Sequence, residues 1–128
     1  MNLDELREFF GRDEFAKAQG ITIDEVTEGE AICSMRVLPT HLNATGGVQG
    51  GVMFTLADYC MAVYMNSKDV RRVSLSCSIQ YIRSPRGKRL TAVCRPVGEG
   101  RTVGHYEVDI MDGDVTVAKM IGQGFRIG

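Results

Sequence analysis

The chain has 128 residues, enough for one domain and too few for two of ordinary size. Fifteen basic and sixteen acidic residues give a formal charge of −1 at pH 7. A chain with this balance lacks the positive field that binding to nucleic acid or to an anionic membrane requires. The composition therefore predicts one globular domain, residues 1–128, with neither nucleic acid nor a membrane as its partner.

The N-terminal segment and the cysteines indicate the compartment. The first eight residues include four charged side chains and lack the basic and apolar regions of a signal peptide. No apolar run approaches the roughly 18 residues of a membrane span. The cysteines are scattered, and each falls where an apolar residue is expected: Cys33, Cys60, Cys77 and Cys94. We therefore expect a cytoplasmic protein with reduced cysteines in its core.

The N-terminal third predicts two short helices and a hairpin. Asn2 and Asp13 are suitable N-cap residues, and the second helix should end at Gly20. Alternating apolar residues then predict a strand over 21–26 and a second strand over 31–37. Neither helix is long enough to form the core.

The remainder predicts one long helix followed by strands. Residues 38–51 are a loop rich in Gly, Asn and Thr, and residues 52–66 are apolar nearly all round a helix. Such a helix must be buried on most sides. Turn signals after Ser67 separate four predicted strands, at 73–81, 88–97, 101–111 and 115–126. This order predicts an α+β fold in which an antiparallel sheet curls around one apolar helix.

Asp58 is the most informative residue, because it is the only charged side chain between Arg36 and Lys68. It lies in the helix that the pattern predicts to be buried. An unpaired carboxylate is costly to bury, so a neutral residue is the default there unless the charge has a function. The structural alternative is that Asp58 lies on a solvent-facing edge of the helix or caps neighbouring backbone.

The glycine-rich loop before this helix is a candidate oxyanion hole. The first amides of a helix lack intrahelical acceptors, and Gly50 and Gly51 would let a ligand oxygen approach them. Glycines that serve only a turn are the alternative. Gly50 and Asp58 are eight residues apart, which corresponds to about 12 Å along a helix, so one carbonyl cannot contact both. Catalysis through both residues therefore predicts a composite site in a dimer with two-fold symmetry.

The run from His41 to Asp58, HLNATGGVQGGVMFTLAD, resembles the signature of the hotdog-fold acyl-CoA thioesterases of the phenylacetate-pathway (PaaI-like) type. Their pattern reads N-x-x-G-x-x-H-G-G, a variable tetrapeptide, and then L-A-D. The similarity extends from about Phe15 to Phe125. It implies a hotdog fold, an antiparallel sheet wrapped around a long central helix, in a homodimer or a dimer of dimers.

The resemblance also implies roles for individual residues. Asp58 is the expected base or nucleophile, and the Gly50 amide is expected to polarise the thioester carbonyl. Asn43 is expected to orient the acyl group or the water. Ser74, at the family's spacing from Tyr81, is expected to assist the attacking water, and its alternative is an ordinary strand hydroxyl.

Gln49 departs from the family pattern, which has His at this position. A Gln side chain can donate a hydrogen bond, but it cannot titrate near neutral pH or act as an acid. Hydrogen bonding by this catalytic candidate is therefore expected to survive, whereas proton donation from it is not. The substitution bears on the efficiency of hydrolysis more than on the fold.

Basic residues near two predicted turns are candidates for binding the phosphates of coenzyme A. Arginine forms charge-assisted and often bidentate bonds to phosphate. The alternative is a solvated turn in a protein of nearly neutral charge. The expected substrate-binding residues are Gly51, Arg83, Arg86, Lys88, Arg101 and Thr102.

The function implied by the resemblance is hydrolysis of an acyl-CoA thioester, with an aryl or a short to medium acyl group, to a free acid and coenzyme A. No cofactor is expected beyond coenzyme A as part of the substrate, and His41 and His105 lack neighbours at metal-ligand spacing. A module that binds acyl-CoA without hydrolysing it is the alternative that Gln49 favours. A dehydratase would need a catalytic His, for which the motif offers only His41. A structural dimer without activity also remains open.

Overall fold

The computed structural model describes all residues, 1–128, and has six strands and three α-helices. Two helices precede the first hairpin, a longer helix follows it, and four strands complete the chain. A short 3-10 helix at Pro39–His41 lies in the loop before the long helix. The elements are α1 (Leu3–Phe10), α2 (Glu14–Ala18), β1 (Thr22–Val26), β2 (Ala31–Arg36), α3 (Gly50–Met65), β3 (Arg72–Tyr81), β4 (Arg89–Glu99), β5 (Val103–Asp112) and β6 (Val115–Arg126).

The strands form one antiparallel sheet in the order β1-β2-β4-β5-β6-β3. Helix α3 packs against all six of them, which confirms the predicted α+β architecture of a sheet wrapped around one long helix. Helix α3 and strand β3 run in opposite directions. Gly50, at the start of α3, lies beside Tyr81 at the end of β3, and Asp58, further along α3, lies beside Ser74 near the start of β3. This arrangement decides where the ends of the candidate site lie.

The helix caps form as predicted. The Asn2 side chain accepts a hydrogen bond from the Glu5 amide at 2.8 Å, and the Asp13 side chain accepts one from the Ala16 amide at 3.0 Å. Each bond satisfies an amide that has no acceptor within its own helix. The segment after α2 turns at Gly20, whose φ of +77° is favourable only for a residue without a Cβ atom.

Three predicted boundaries are wrong by two residues, at the start of α3, the end of β4 and the start of β5, which begins at Val103 rather than at 101. Helix α3 begins at Gly50, inside the segment predicted to be a loop, because Gln49 caps it and the two glycines adopt the helical conformation. Strand β4 continues to Glu99, through the turn predicted at 98–100, because a bulge at Val97 allows pairing with β5 to resume at Gly98. Turn residues in the local sequence could not reveal how β4 and β5 pair across this bulge.

The core is built by α3 and the inward-facing side chains of the sheet. Ten of the 16 residues in α3 are buried, as its apolar sequence predicts. The other side of the helix leaves a stripe that is partly or fully exposed, and we call it the open stripe: Gly51, Phe54, Thr55, Asp58 and Ala62. No charged residue other than Asp58 lies on it.

Strand β3 forms the edge of the sheet next to the open stripe. Its exposed side chains include Val73, which is 47% exposed, Leu75, which is 58% exposed, and Tyr81, which is 51% exposed. An apolar edge strand with unpaired backbone groups is a surface suited to pairing with another strand. The open stripe and the β3 edge are therefore one continuous surface that is uncovered in the single chain.

All four cysteines are free thiols, and three of them are buried, as predicted: Cys33, Cys60 and Cys94. Cys77 on the edge strand is only half-buried, and it packs against the margin of the core. A hydrogen bond with Cys60 and burial raise the pKa of Cys33, and burial raises the pKa of Cys94. None of the helices combines the length and the apolar character needed to cross a bilayer.

Candidate active site

Asp58 and Ser74 form one half of the candidate site. The Ser74 hydroxyl donates a hydrogen bond to Asp58 Oδ1 at 2.9 Å. No group of the chain donates to Asp58 Oδ2, so this oxygen can accept a proton from a water molecule. The hydrogen bond that β3 supplies fixes the orientation of the carboxylate, which is what a general base requires.

The Asp58 carboxylate is not deeply buried, and in the single chain it lies on a solvent-facing edge of the helix, which was the alternative to burial. The residue is partly exposed because it lies on the open stripe of α3, at the side of the helix that faces the β3 edge. The sequence pattern places Asp58 on an apolar helix, but it does not reveal that no element of the same chain covers this side. The exposed part of the carboxylate is accessible to a water molecule, as a general base requires.

Gly50 forms the other half of the site, at the N-terminus of α3. Its amide donates no hydrogen bond within the chain, whereas its carbonyl accepts one from the Tyr81 hydroxyl at 2.9 Å. A Cβ atom on Gly50 would lie 3.0 Å from Tyr81 Cζ, so glycine lets the ring pack against the helix terminus. The free amide, at the positive end of a helix of 16 residues, is a suitable donor to an oxyanion.

Gln49 is the N-cap of α3, and its side chain binds the amide of Gly51, which follows the free amide of Gly50. Its Oε1 atom accepts a short hydrogen bond from the Gly51 amide. The peptide between Gly50 and Gly51 is therefore held at both ends, by Tyr81 and by Gln49. While this cap persists, only the Gly50 amide is free for a ligand, and the Nε2 group of the exposed Gln49 remains a free donor.

Asn43 organises the loop before α3. Its Oδ1 atom accepts hydrogen bonds from the Thr45 amide at 3.0 Å, the Thr45 hydroxyl at 2.8 Å and the Gly47 amide at 3.0 Å. The Nδ2 group makes no bond within the chain and is the atom that could contact an acyl group or water. Gly47 also packs against Ser84, where a Cβ atom would lie 3.1 Å from Oγ.

His41 is buried beneath the same loop and is 2% exposed. Its Nδ1 atom accepts a hydrogen bond from the Leu38 amide at 3.0 Å, and its carbonyl accepts one from the Gln49 amide at 2.8 Å. Burial lowers the pKa of His41, so the imidazole is neutral at pH 7. No carboxylate contacts it, and the His and acid pair of a dehydratase is therefore not formed.

The two halves do not meet within one chain. Eight residues of α3 separate Gly50 from Asp58, a distance of about 12 Å along the axis at the usual rise per residue. The antiparallel course of α3 and β3 keeps Ser74 with Asp58 and Tyr81 with Gly50. One chain therefore carries two separate half-sites, which we name the Asp58 half-site and the Gly50 half-site.

The predicted phosphate-binding residues also separate into two groups. Arg83, Arg86 and Lys88 lie in the segment after β3, whose backbone the Asp112 carboxylate holds through the Arg86 and Gly87 amides. Arg101 and Thr102 lie in the turn after β4, at the other end of that strand of 11 residues. The structure does not bring these groups together in one chain. All five side chains are exposed, and none of the four cations forms an ion pair within the chain.

Two residues near the half-sites were not singled out as site residues from the sequence. Tyr81 served only as a spacing marker for Ser74, yet it contacts Gly50 across 31 residues of sequence. Arg72 is 6% exposed and binds the backbone of the turn that carries Arg101. Neither belongs to a local motif, so no sequence signal could have identified their contacts. The chain has no group of His, Cys, Asp and Glu residues able to hold a metal ion.

Comparison with known proteins identifies the family. The family model described as the thioesterase superfamily matches residues 45–119, which include both glycines and Asp58. The acyl-coenzyme A thioesterase PaaI of Escherichia coli is 35% identical over 121 residues, covering 93% of this chain and 86% of that protein. The chain belongs to the thioesterase superfamily.

Solved structures of this thioesterase superfamily agree with the fold. The structure of the E. coli PaaI protein matches with a TM-score of 0.90 and 31% identity, covering 99% of this chain and 97% of that one. A hypothetical thioesterase from Streptococcus pneumoniae, crystallised with coenzyme A, matches with a TM-score of 0.87 and 27% identity, covering 95% and 97%. The predicted hotdog fold is therefore confirmed.

Proposed function

We propose that this protein hydrolyses an acyl-CoA thioester, with an aryl or a short to medium acyl group, to a free acid and coenzyme A. The observation that carries the proposal is the free Gly50 amide at the N-terminus of α3 on the same helix as an oriented, accessible Asp58 carboxylate. An amide for the developing oxyanion and a base for water are the two groups that thioester hydrolysis needs. The naming of PaaI as an acyl-CoA thioesterase supports the substrate class.

In this proposal Asp58 activates the nucleophile. Its free Oδ2 atom takes a proton from water while the water oxygen forms a bond to the thioester carbonyl carbon. The carbonyl oxygen gains the negative charge and accepts a hydrogen bond from the Gly50 amide. The intermediate then collapses, the carbon–sulfur bond breaks, and the thiolate leaves and is protonated by Asp58 or by solvent. Direct attack by Asp58 on the carbonyl carbon, followed by hydrolysis of the anhydride, uses the same two groups.

The active unit in this proposal is a homodimer with two composite sites. Two-fold pairing of the β3 edges would cover the exposed Val73 and Leu75 and place the open stripes of two α3 helices side by side. Because two β3 edges related by a two-fold axis run antiparallel, such pairing would bring the Asp58 half-site of one chain, near the start of β3, to the Gly50 half-site of the other, at the end of β3. We also propose that two such homodimers pair into a dimer of dimers.

The same pairing would gather the exposed cations around one substrate. The Arg101 turn belongs to the end of the sheet that carries Asp58, whereas Arg83, Arg86 and Lys88 follow the end of β3 that contacts Gly50. Two chains in a composite site would therefore contribute cations from both groups to the phosphates of coenzyme A. The free, scattered cysteines support a cytoplasmic location.

The experiment that tests the proposal is thiol release from a panel of acyl-CoA thioesters. Purified protein is mixed with phenylacetyl-CoA, benzoyl-CoA, hexanoyl-CoA and palmitoyl-CoA, and the free thiol is detected with a colorimetric reagent. We expect turnover of at least one aryl or short to medium acyl group, and weaker turnover of palmitoyl-CoA. Background rates with every member would contradict hydrolysis. Tight binding of one member at background turnover would instead establish a binding module.

The presence of Gln at position 49, where the family pattern has His, favours the binding module, and substitutions at this position test its role. In Gln49→Ala, loss of the free Nε2 donor and of the cap on Gly51 is expected to lower kcat/KM roughly 5- to 150-fold. Gln49→His retains a donor and is expected to hold the rate, with a new step in the pH profile near the imidazole pKa of about 6.5. Initial rates between pH 5 and pH 9 measure both effects. A wild-type value of kcat/KM in Gln49→Ala would show that the Gln49 side chain has no role in the mechanism.

A further inference from the structure

Arg72, the first residue of β3, is buried without a counter-charge. The residue is 6% exposed, and its guanidinium forms no ion pair within the chain. Burial of a charge without a partner is unfavourable, so an apolar residue would be the default at this position. The hydrogen bonds of the guanidinium therefore indicate what this arginine contributes.

The guanidinium donates to three backbone carbonyls. Nη2 donates to the Gly100 carbonyl at 2.7 Å, and Nη1 contacts the Thr102 and Gly124 carbonyls, each at 3.4 Å. Two of these carbonyls belong to the turn between β4 and β5. Arg72 therefore joins the start of β3, two residues before Ser74, to the turn that carries Arg101.

These bonds, together with the hydrogen bond that the Thr102 carbonyl accepts from the Arg126 amide at 2.8 Å, fix the direction in which the turn presents its side chains. Because the carbonyls on both sides of Arg101 point inward at Arg72, the Arg101 and Thr102 side chains are left exposed. The Gly100 amide closes the turn on the Val103 carbonyl at 2.9 Å. A turn that is held in this way does not lose further conformational freedom when a ligand binds to it.

A second group of contacts holds the residue just before the turn. The Glu99 carboxylate accepts hydrogen bonds from the Tyr106 hydroxyl at 2.8 Å and from the Lys68 ammonium group at 3.1 Å. Glu99 is therefore directed away from Arg101, and its negative charge is neutralised by Lys68. The Glu99 carboxylate therefore does not compete with an approaching anion for the Arg101 side chain.

We propose that Arg72 is a positioning residue that holds the Gly100–Thr102 turn in the conformation that binds the phosphates of coenzyme A. The proposal rests on the proposed function, because it takes coenzyme A as the ligand of this turn. Arg72 itself does not contact the ligand. It differs from a purely structural arginine because its removal should weaken binding of the nucleotide part and leave the chemistry of the thioester unchanged.

The test compares two substrates with the same acyl group, one on coenzyme A and one on N-acetylcysteamine, which lacks the nucleotide. In Arg72→Met we expect KM for the CoA thioester to rise roughly tenfold, because the turn must be ordered at each binding event. We expect little change in kcat, and an unchanged kcat/KM for the N-acetylcysteamine thioester. Arg71→Met is the matched control, since Arg71 is exposed, carries the same charge and makes no contact with the turn.

An equal loss of kcat/KM on both substrates in Arg72→Met would mean a general structural role and would overturn the proposal. An equal rise in KM for the CoA thioester in Arg71→Met would also overturn it, because charge alone would then explain the effect. If the Arg72→Met variant does not fold, Arg72→Lys takes its place in the same comparison of substrates. One ammonium group cannot reach all three carbonyls, so an intermediate KM is expected, and a wild-type KM would contradict the proposal.

Calorimetric titration with free coenzyme A separates this proposal from the proposed function. If the wild type binds coenzyme A but gives only background rates on the acyl-CoA panel, hydrolysis fails as the function, and Arg72→Met should still weaken the Kd roughly tenfold. An unchanged Kd in Arg72→Met overturns only the role of Arg72. Failure of the wild type to bind coenzyme A overturns the role of Arg72, because the turn would then have no ligand, whereas the thiol-release panel decides the proposed function.

Discussion

In Asp58→Asn we expect the rate of thioester hydrolysis to fall by at least about 10²-fold, the contribution that a positioned general base usually makes. The amide retains the shape of the carboxylate and an oxygen that accepts the Ser74 hydrogen bond, but it cannot take a proton from water. Because Asp58 is partly exposed, the free energy of unfolding should change by no more than about 0.5 kcal/mol, as for most surface substitutions. Thiol release and thermal unfolding measure the two quantities.

Asp69→Asn is the matched control for this prediction. Asp69 is exposed in the connection between α3 and β3, so the same chemical change there should leave the rate unchanged. The Asp58→Asn protein should also keep the oligomeric state of the wild type in size-exclusion chromatography. A rate within twofold of the wild type in Asp58→Asn would mean that another group activates the water.

In Gly50→Pro we expect a loss of roughly 10²- to 10³-fold in kcat, the usual effect of removing one oxyanion donor. Proline has no amide hydrogen, and it is compatible with the first position of a helix. The preceding residue, Gln49, has φ −65° and ψ 131°, which is the conformation that a following proline favours. The substitution therefore removes the donor with little change in the backbone.

The Gly50→Ala variant distinguishes the effect of losing the amide hydrogen from the effect of the added side-chain volume. Both substitutions add a Cβ atom 3.0 Å from the Tyr81 ring, so the ring must move by a few tenths of an ångström in either variant. Only the alanine variant retains the N–H group. Equal rates in the two variants would show that the amide contributes nothing, and a rate for alanine far above that for proline supports the oxyanion role.

The sequence predicts the fold and the identity of the candidate residues better than it predicts their surroundings. The period of the strands and the apolar character of residues 52–66 indicate the sheet and its helix, and the motif from His41 to Asp58 identifies Gly50 and Asp58. The exposure of Asp58 depends on whether another element covers one side of α3. Periodicity within the helix does not contain that information.

Contacts between distant segments could not be predicted for the same reason. The hydrogen bond from Tyr81 to Gly50 and the bonds from Arg72 to the Gly100–Thr102 turn depend on how β3 lies against α3 and β6. The Gln49 side chain illustrates a different limit. Its residue type excludes titration near neutral pH, but its role as the cap of Gly51 follows from a helix that begins earlier than the apolar pattern indicates.

The claim that each site is built from two chains is tested most directly by activity in defined heterodimers, purified through two different tags. In a heterodimer of Asp58→Asn with Gly50→Pro, one composite site collects both defects and the other collects none, so activity should recover to about half of the wild-type value. A heterodimer of the wild type with a chain carrying both substitutions should be inactive, because each composite site then receives one defect. The reverse pair of results, an inactive first heterodimer and a half-active second one, would place Asp58 and Gly50 of one chain in the same site and contradict the account.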